Sequence, residues 1–274
     1  MTRDTRNILF CLGLFLLAVA ATVPFLEMGV TDEWAYAWVA RGLAATGHVT
    51  YNAWSAVMLL PQLFWAAGFI RLFGFSFLTV RLAALCIAAL LVPLVYKLAR
   101  ESGLCPRFAT FATLLTALSP VTLAVAPLFL SDIPALFLFT LSLYCGVKAW
   151  KAPDSKRFLI QATFMAICGV LSGLDRQIYW LAPVLFVPAL GWSRRITGNP
   201  KRAETVALGA IWLAAGLAIA AAVLWYQAQP YILVEHTLDQ WKNDGFGYLT
   251  SHTMVLTTDL AMSAGLLLLP IMLP

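Results

Sequence analysis

Charge is what this sequence has least of. Only 11% of its 274 residues are charged, against roughly a quarter in a soluble globular domain. That excludes a free-standing water-soluble fold. Cysteine is sparse as well: Cys11, Cys86, Cys105, Cys145 and Cys168 show no close paired spacing, and all but Cys105 fall inside apolar runs. They read as small core residues, which argues against a disulfide framework or a zinc site. Internal repeats, polar linkers and a second soluble domain are not visible.

What fills the chain instead is apolar sequence, 61% of it hydrophobic. Runs of about 18 or more such residues recur, long enough to cross a bilayer of about 30 Å. The fold class is therefore all-α and polytopic, a transmembrane helical bundle. The net charge of +5 could suit nucleic acid, but the basic residues cluster in short turns between apolar runs. That pattern belongs to membrane topology rather than to a phosphate-binding face, so no nucleic acid is expected.

Spans are predicted at 8–26, 77–99, 108–130, 132–147, 158–174, 178–192 and 205–227, with a further hydrophobic stretch at 57–73 and a last run at 254–274. The third span is interrupted by Ser119-Pro120 and Pro127. Ala18-Val19-Ala20 also resembles a signal-peptide cleavage site; either way, the stretch after the first span lies outside. On alternating topology, 13 of the 18 Lys and Arg residues fall on the N-terminal side and five on the other. This asymmetry predicts a multi-pass protein of the inner (plasma) membrane with a cytoplasmic N-terminus. The chain reads as one domain, 1–274. Its last run carries no basic flank, as a C-terminally truncated chain would end. Two polar, aromatic loops, 31–56 and 229–253, face the extracytoplasmic side.

The first of these loops carries the strongest candidates. Thr31 can cap a helix whose first turn holds Asp32 and Glu33. Trp34, Ala37, Trp38 and Arg41 follow at i, i+3, i+4 and i+7, which predicts an amphipathic helix on the outer surface. The plain reading is a capped interfacial helix with an aromatic anchor. The functional reading makes Asp32 a general base for an acceptor hydroxyl. Trp34, Tyr36 and Tyr51 would then stack on a sugar. Glu33, the second catalytic candidate of this loop, points about 100° away from Asp32 on a helix, so the two acids expect different partners.

Further along, Asp132 opens a span in Ser131-Asp132-Ile133-Pro134. It reads either as a helix start or as an ionisable group facing a cavity. Arg176, in Gly173-Leu174-Asp175-Arg176-Gln177, reads either as half of a self-paired Asp175–Arg176 turn or as a cation for a lipid phosphate. Arg71 and Arg81 read mainly as headgroup-seeking side chains, with Arg81 kept as a substrate-binding candidate. His48, His236 and His252 lie on the outer side. Glu235, His236 and Asp239 could share a helix face as metal ligands, but their loose spacing reads as solvated surface. No cofactor is assigned, and a divalent metal stays open. Asp239, Gln240, Trp241 and Tyr248 are candidates for an acceptor pocket.

Several pieces stand in a telling order. An acidic pair, Asp32-Glu33, follows the first span. Then come Leu60-Pro61-Gln62-Leu63, Leu72-Phe73-Gly74-Phe75-Ser76, Arg81-Leu82 and Tyr96-Lys97-Leu98-Ala99-Arg100. Leu118-Ser119-Pro120, Asp132-Ile133-Pro134-Ala135, Tyr144 and Gly169-Val170-Leu171-Ser172-Gly173-Leu174 complete the series, with a cation behind it. Over about residues 8 to 190 the chain resembles the GT-C superfamily of polyprenyl-phosphate-dependent membrane glycosyltransferases. The likeness is to bacterial relatives of protein O-mannosyltransferases, aminoarabinose transferases and lipopolysaccharide-core sugar transferases.

The resemblance implies transfer of a sugar, with inversion, from a polyprenyl-phosphate donor to an extracytoplasmic acceptor (glycolipid, polysaccharide or protein) at the membrane lipid surface. It implies a catalytic Asp in the first outer loop, here Asp32, and a second acid at the head of the fourth span, here Asp132. The cation after the fifth span, often Lys in such families, is Arg176. The competing readings are a transporter or lipid flippase and a non-catalytic membrane subunit. Against a transporter, the acids gather at the outer ends of the spans rather than at mid-membrane, and no repeat is seen.

Overall fold

A computed structural model describes residues 1–22, 27–55, 57–197 and 202–230. Chain contacts divide the protein into Met1–Ile232 and Leu233–Pro274; the second unit lies outside the described residues. The loop at 229–253, its acceptor-pocket and metal-ligand candidates and the run at 254–274 therefore lie almost wholly outside them too.

The described chain is helical throughout. It runs α1 (Arg3–Thr22), α2 (Glu33–Thr46), α3 (Leu60–Phe73), α4 (Phe77–Glu101), α5 (Pro106–Ala117), α6 (Pro120–Val125), α7 (Asp132–Trp150), α8 (Ser155–Asp175), a 3-10 turn (Gln177–Trp180), α9 (Leu181–Thr197) and α10 (Arg202–Gln227). Five of these, α1, α4, α7, α8 and α10, are long and apolar enough to cross a membrane. At about 1.5 Å per residue, the 25 residues of α4 reach about 37 Å. The protein is an all-α polytopic membrane protein.

The predicted third span differs. It is two shorter helices, α5 and α6, separated at Leu118 and Ser119. Pro120 has no N–H to continue the first helix, and it opens the second at a position where that N–H is not needed. The Ser119 hydroxyl accepts from the Thr122 N–H at 3.1 Å and caps the new helix. The sixth predicted span becomes the 3-10 turn followed by α9, with Pro188 inside it.

The helices alternate in direction, so the bundle has two distinct ends. At one end the α1 residue Asp4 accepts from Tyr96 at the foot of α4 and lies 3.4 Å from Arg100. Arg194, near the foot of α9, donates to the Ala152 carbonyl in the α7–α8 turn. At the other end, Glu33 meets Arg81 at the head of α4, and the Tyr226 hydroxyl of α10 donates to the Ser55 carbonyl.

The centre of the bundle is the α7–α8 pair. Small polar side chains bind these helices together: Ser142 Oγ donates to the Met165 carbonyl at 2.8 Å, and Ser172 Oγ to the Ala135 carbonyl at 2.7 Å. Hydroxyl-to-carbonyl bonds of this kind join helices where lipid offers no competing water. A separate apolar cluster of Tyr36, Val39, Leu43, Tyr51, Met58 and Leu63 packs α2 onto α3 and α4.

Candidate active site

The first loop folds back as α2, with one face buried. Ala35, Tyr36, Ala37, Val39, Ala40 and Leu43 are buried, while Trp34, Trp38 and Arg41 face outward. The predicted amphipathic helix is present, but Ala37 belongs to its inner face. The guanidinium of Arg41 lies over the rings of Trp38 and Phe75, 4.7 and 5.0 Å from their centroids. Trp34 meets Trp54 edge-on, with centroids 6.1 Å apart. The expected Thr31 cap does not form. Thr31 takes a left-handed backbone, and Asp32 occupies the cap position with its side chain free of the helix N–H groups.

The two adjacent acids part company, as their angular separation requires. Glu33 is fully buried. Its Oε1 accepts from Arg81 Nε at 2.8 Å and from the Phe129 N–H at 3.0 Å; its Oε2 accepts from Arg81 Nη2 at 2.6 Å and from the Val30 N–H at 3.0 Å. Arg81 Nη2 also donates to the Met28 carbonyl at 2.7 Å. Four donors occupy the roughly four lone-pair sites of a carboxylate, which leaves Glu33 no free face for an acceptor. The geometry corrects two expectations: Glu33 and Arg81, named as catalytic and substrate-binding candidates, form a clamp that ties α2, α4 and the α6–α7 loop together.

Tyr51 is likewise committed. It is 2% exposed and donates its hydroxyl to the Met58 carbonyl at 2.5 Å. It packs edge-on against Tyr226 at 5.2 Å, so its ring is part of the core rather than a platform for a sugar.

Asp32, by contrast, is exposed. The Tyr36 phenol lies within electrostatic reach of that carboxylate and of Arg176 and Asp132. Burial, then the charge of Asp32, pushes the Tyr36 phenol up from 10.0 to about 12. Tyr36 is therefore a neutral hydrogen-bond donor at any physiological pH.

Asp132 starts α7 and forms an ion pair with Nη1 of Arg176; both side chains are half-exposed. The alternative Asp175–Arg176 pairing is overturned. Asp175 is fully buried and turned the other way, where its Oδ1 accepts from the Gln62 N–H at 3.1 Å and caps α3 from α8. Tyr179 of the 3-10 turn lies within reach of both Arg176 and Asp132 and stacks on Phe139 at 4.9 Å.

The turn that presents Arg176 depends on close packing. A Cβ on Gly173 would sit 1.9 Å from the ring of Trp180, and one on Gly169 would sit 2.7 Å from Pro183. Trp180 Nε1 donates to the Val170 carbonyl at 3.1 Å, which holds the turn against the last two turns of α8.

Asp32 and Tyr36 from α2, Asp132 from α7 and Arg176 and Tyr179 from the α8–α9 turn thus share one end of the bundle. They form a face carrying two carboxylates, one cation and two phenols. Among the described residues, no group of three or more His, Cys, Asp or Glu side chains could hold a metal ion. Sequence reasoning missed Tyr179 and the capping role of Asp175. The missed signal was the Asp-Arg-Gln-Ile-Tyr run, whose alternating environments only the turn reveals.

No curated protein and no solved structure matches the chain. A family profile does: the one described as dolichyl-phosphate-mannose-protein mannosyltransferase matches residues 61–226, more than half of the chain. That stretch contains Asp132 and Arg176 and begins after Asp32. With five apolar helices long enough to span a bilayer and a matched profile over the bundle that carries Arg176, the chain belongs to the dolichyl-phosphate-mannose-protein mannosyltransferase family of membrane glycosyltransferases, of GT-C type.

Proposed function

We propose that this protein moves a sugar from a polyprenyl-phosphate donor to an extracytoplasmic acceptor hydroxyl, with inversion at the anomeric carbon. The observation that carries this reading is the convergence of Asp32, Tyr36, Asp132 and Arg176 from three separate parts of the chain on one end of the bundle. Acceptor oxygen attacks the anomeric carbon as the bond from that carbon to the phosphate oxygen breaks. The acceptor's proton passes to the Asp32 carboxylate. The donor phosphodiester carries one negative charge, and the departing lipid phosphate carries two.

Arg176 meets that growing charge, since a fixed cation aimed at a developing anion lowers the barrier. A guanidinium has five N–H donors, and Asp132 takes Nη1. The remaining donors serve the phosphate, with Asp132 holding the fork in place. Tyr36, neutral and within electrostatic reach of Asp32, is the donor placed to orient that carboxylate. Trp34, beside Trp54, offers an apolar ring for the sugar. The basic end of the bundle faces the cytoplasm of a plasma (inner) membrane under this reading, and the Asp32 end faces outward.

The test is transfer by purified protein in lipid, using a panel of radiolabelled polyprenyl-phosphate sugars. Asp32→Asn is expected to lower the rate by about 10²–10⁴-fold, the usual worth of a positioned base, with unchanged folding. Arg176→Ala is expected to weaken use of the donor. Full activity in Asp32→Asn would remove the base.

A further inference from the structure

At the opposite end of the bundle, a cavity of about 390 Å³ opens between α9 and α10. Its inner wall is apolar, made by Val187, Leu208 and Trp212, and its mouth is charged, with Arg194, Arg195 and Glu204. We propose that this cavity is a binding site for a glycerophospholipid, one whose headgroup pairs a single negative phosphodiester with a hydrogen-bond donor, as phosphatidylglycerol does.

The charges at the mouth are not self-satisfied. Arg194 Nε and Glu204 Oε1 lie 3.7 Å apart, near enough for charge attraction but beyond hydrogen-bond length. Both atoms are buried and have no hydrogen-bond partner among the described residues. Arg194 is otherwise anchored, since its Nη2 donates to the Ala152 carbonyl at 2.9 Å and its guanidinium lies 4.3 Å over the ring of Phe158. Arg195, next to it, is exposed. Two arginines and one glutamate give the mouth one net positive charge, which complements one phosphodiester. The phosphate accepts from Arg195 and from Arg194 Nε, and a headgroup hydroxyl donates to Glu204 Oε1.

The apolar part of the cavity suits the lipid's upper acyl chains. Gly191 and Gly209 line it, and at Gly209 a Cβ would meet nothing within 4 Å. Trp192 is exposed at the mouth, and Trp212 is fixed by its Nε1 bond to the Val184 carbonyl at 3.1 Å. Tryptophan beside arginine at a helix end is the composition of a membrane–water interface. Lys156 and Arg157 at the start of α8 add positive potential at the same end of the bundle, and a basic pocket between spanning helices is how such a surface selects anionic lipid.

The site is tested by stripping the full-length protein of lipid in detergent and adding back single lipids, with bound lipid counted by native mass spectrometry. Phosphatidylglycerol is expected to be retained in preference to phosphatidylcholine, whose headgroup has neither net charge nor donor. Arg195→Ala is expected to weaken retention by about tenfold, the worth of one charge-assisted hydrogen bond. Arg107→Ala, an exposed cation outside the cavity, is expected to leave retention unchanged. Gly209→Phe fills the cavity without touching a charge and should abolish retention on its own. Equal binding of phosphatidylcholine, equal behaviour of Arg195→Ala and Arg107→Ala, displacement by inorganic phosphate alone, or full retention in Gly209→Phe would each overturn the site.

Discussion

Two neighbouring carboxylates show how little the identity of a residue says about its work. Asp32 and Glu33 are chemically almost the same, and about 100° of helix rotation separates their fates. Glu33 is desolvated and saturated by four donors; Asp32 is exposed beside Tyr36. A buried pair that loses one partner leaves a naked charge, at a cost of about 3–5 kcal/mol. Arg81→Met is therefore expected to destabilise the protein by that order, read as a lowered unfolding midpoint in detergent. The double variant with Glu33→Gln should recover much of the loss. Tyr36 makes a pH prediction. Its phenol is raised from 10.0 to about 12, so the protonated form is favoured in the folded state. Its contribution to stability is complete below pH 10 and gone by about pH 12. The stability gap between the native protein and Tyr36→Phe should close across that window in alkaline unfolding curves.

Among the elements, the α8–α9 turn is the least forgiving. Gly173 stands where any side chain would run into Trp180, and Trp180 is the wedge that sets the turn carrying Arg176. Gly173→Ala is expected to displace Trp180 and with it the guanidinium. The readout is weaker use of the lipid-phosphate donor with helix content retained by circular dichroism. The element level also shows where sequence was legible. Proline positions marked the break in 108–130 but not its result, since whether Pro120 kinks one helix or starts another depends on the Ser119 cap. The Asp175–Arg176 adjacency suggested a self-contained turn. The fold sends the two side chains in opposite directions because Asp175 closes α8 and points into the bundle at Gln62.

For the molecule as a whole, the two ends are chemically unlike. One gathers Asp32, Asp132 and Arg176; the other gathers the basic turns at Lys151, Lys156, Arg157, Arg194 and Arg195. Cys105 reports on which end meets which compartment. It is the exposed cysteine, and hydrogen bonding from the Phe108 backbone, with help from Arg107, lowers its thiol below the ordinary value. More thiolate means faster alkylation. A membrane-impermeant maleimide is expected to label Cys105 in inside-out vesicles and not in intact cells; the reverse would invert the proposed topology.

The sequence by itself determined the class of molecule, the approximate spans and the candidates Asp32, Asp132 and Arg176, because apolar length and basic turns are local properties that need no partners. Only the tertiary structure decided that Glu33 belongs to Arg81 and that Asp132 rather than Asp175 meets Arg176. Those are pairings between residues far apart in the chain, and their energies depend on burial and geometry that no linear pattern records.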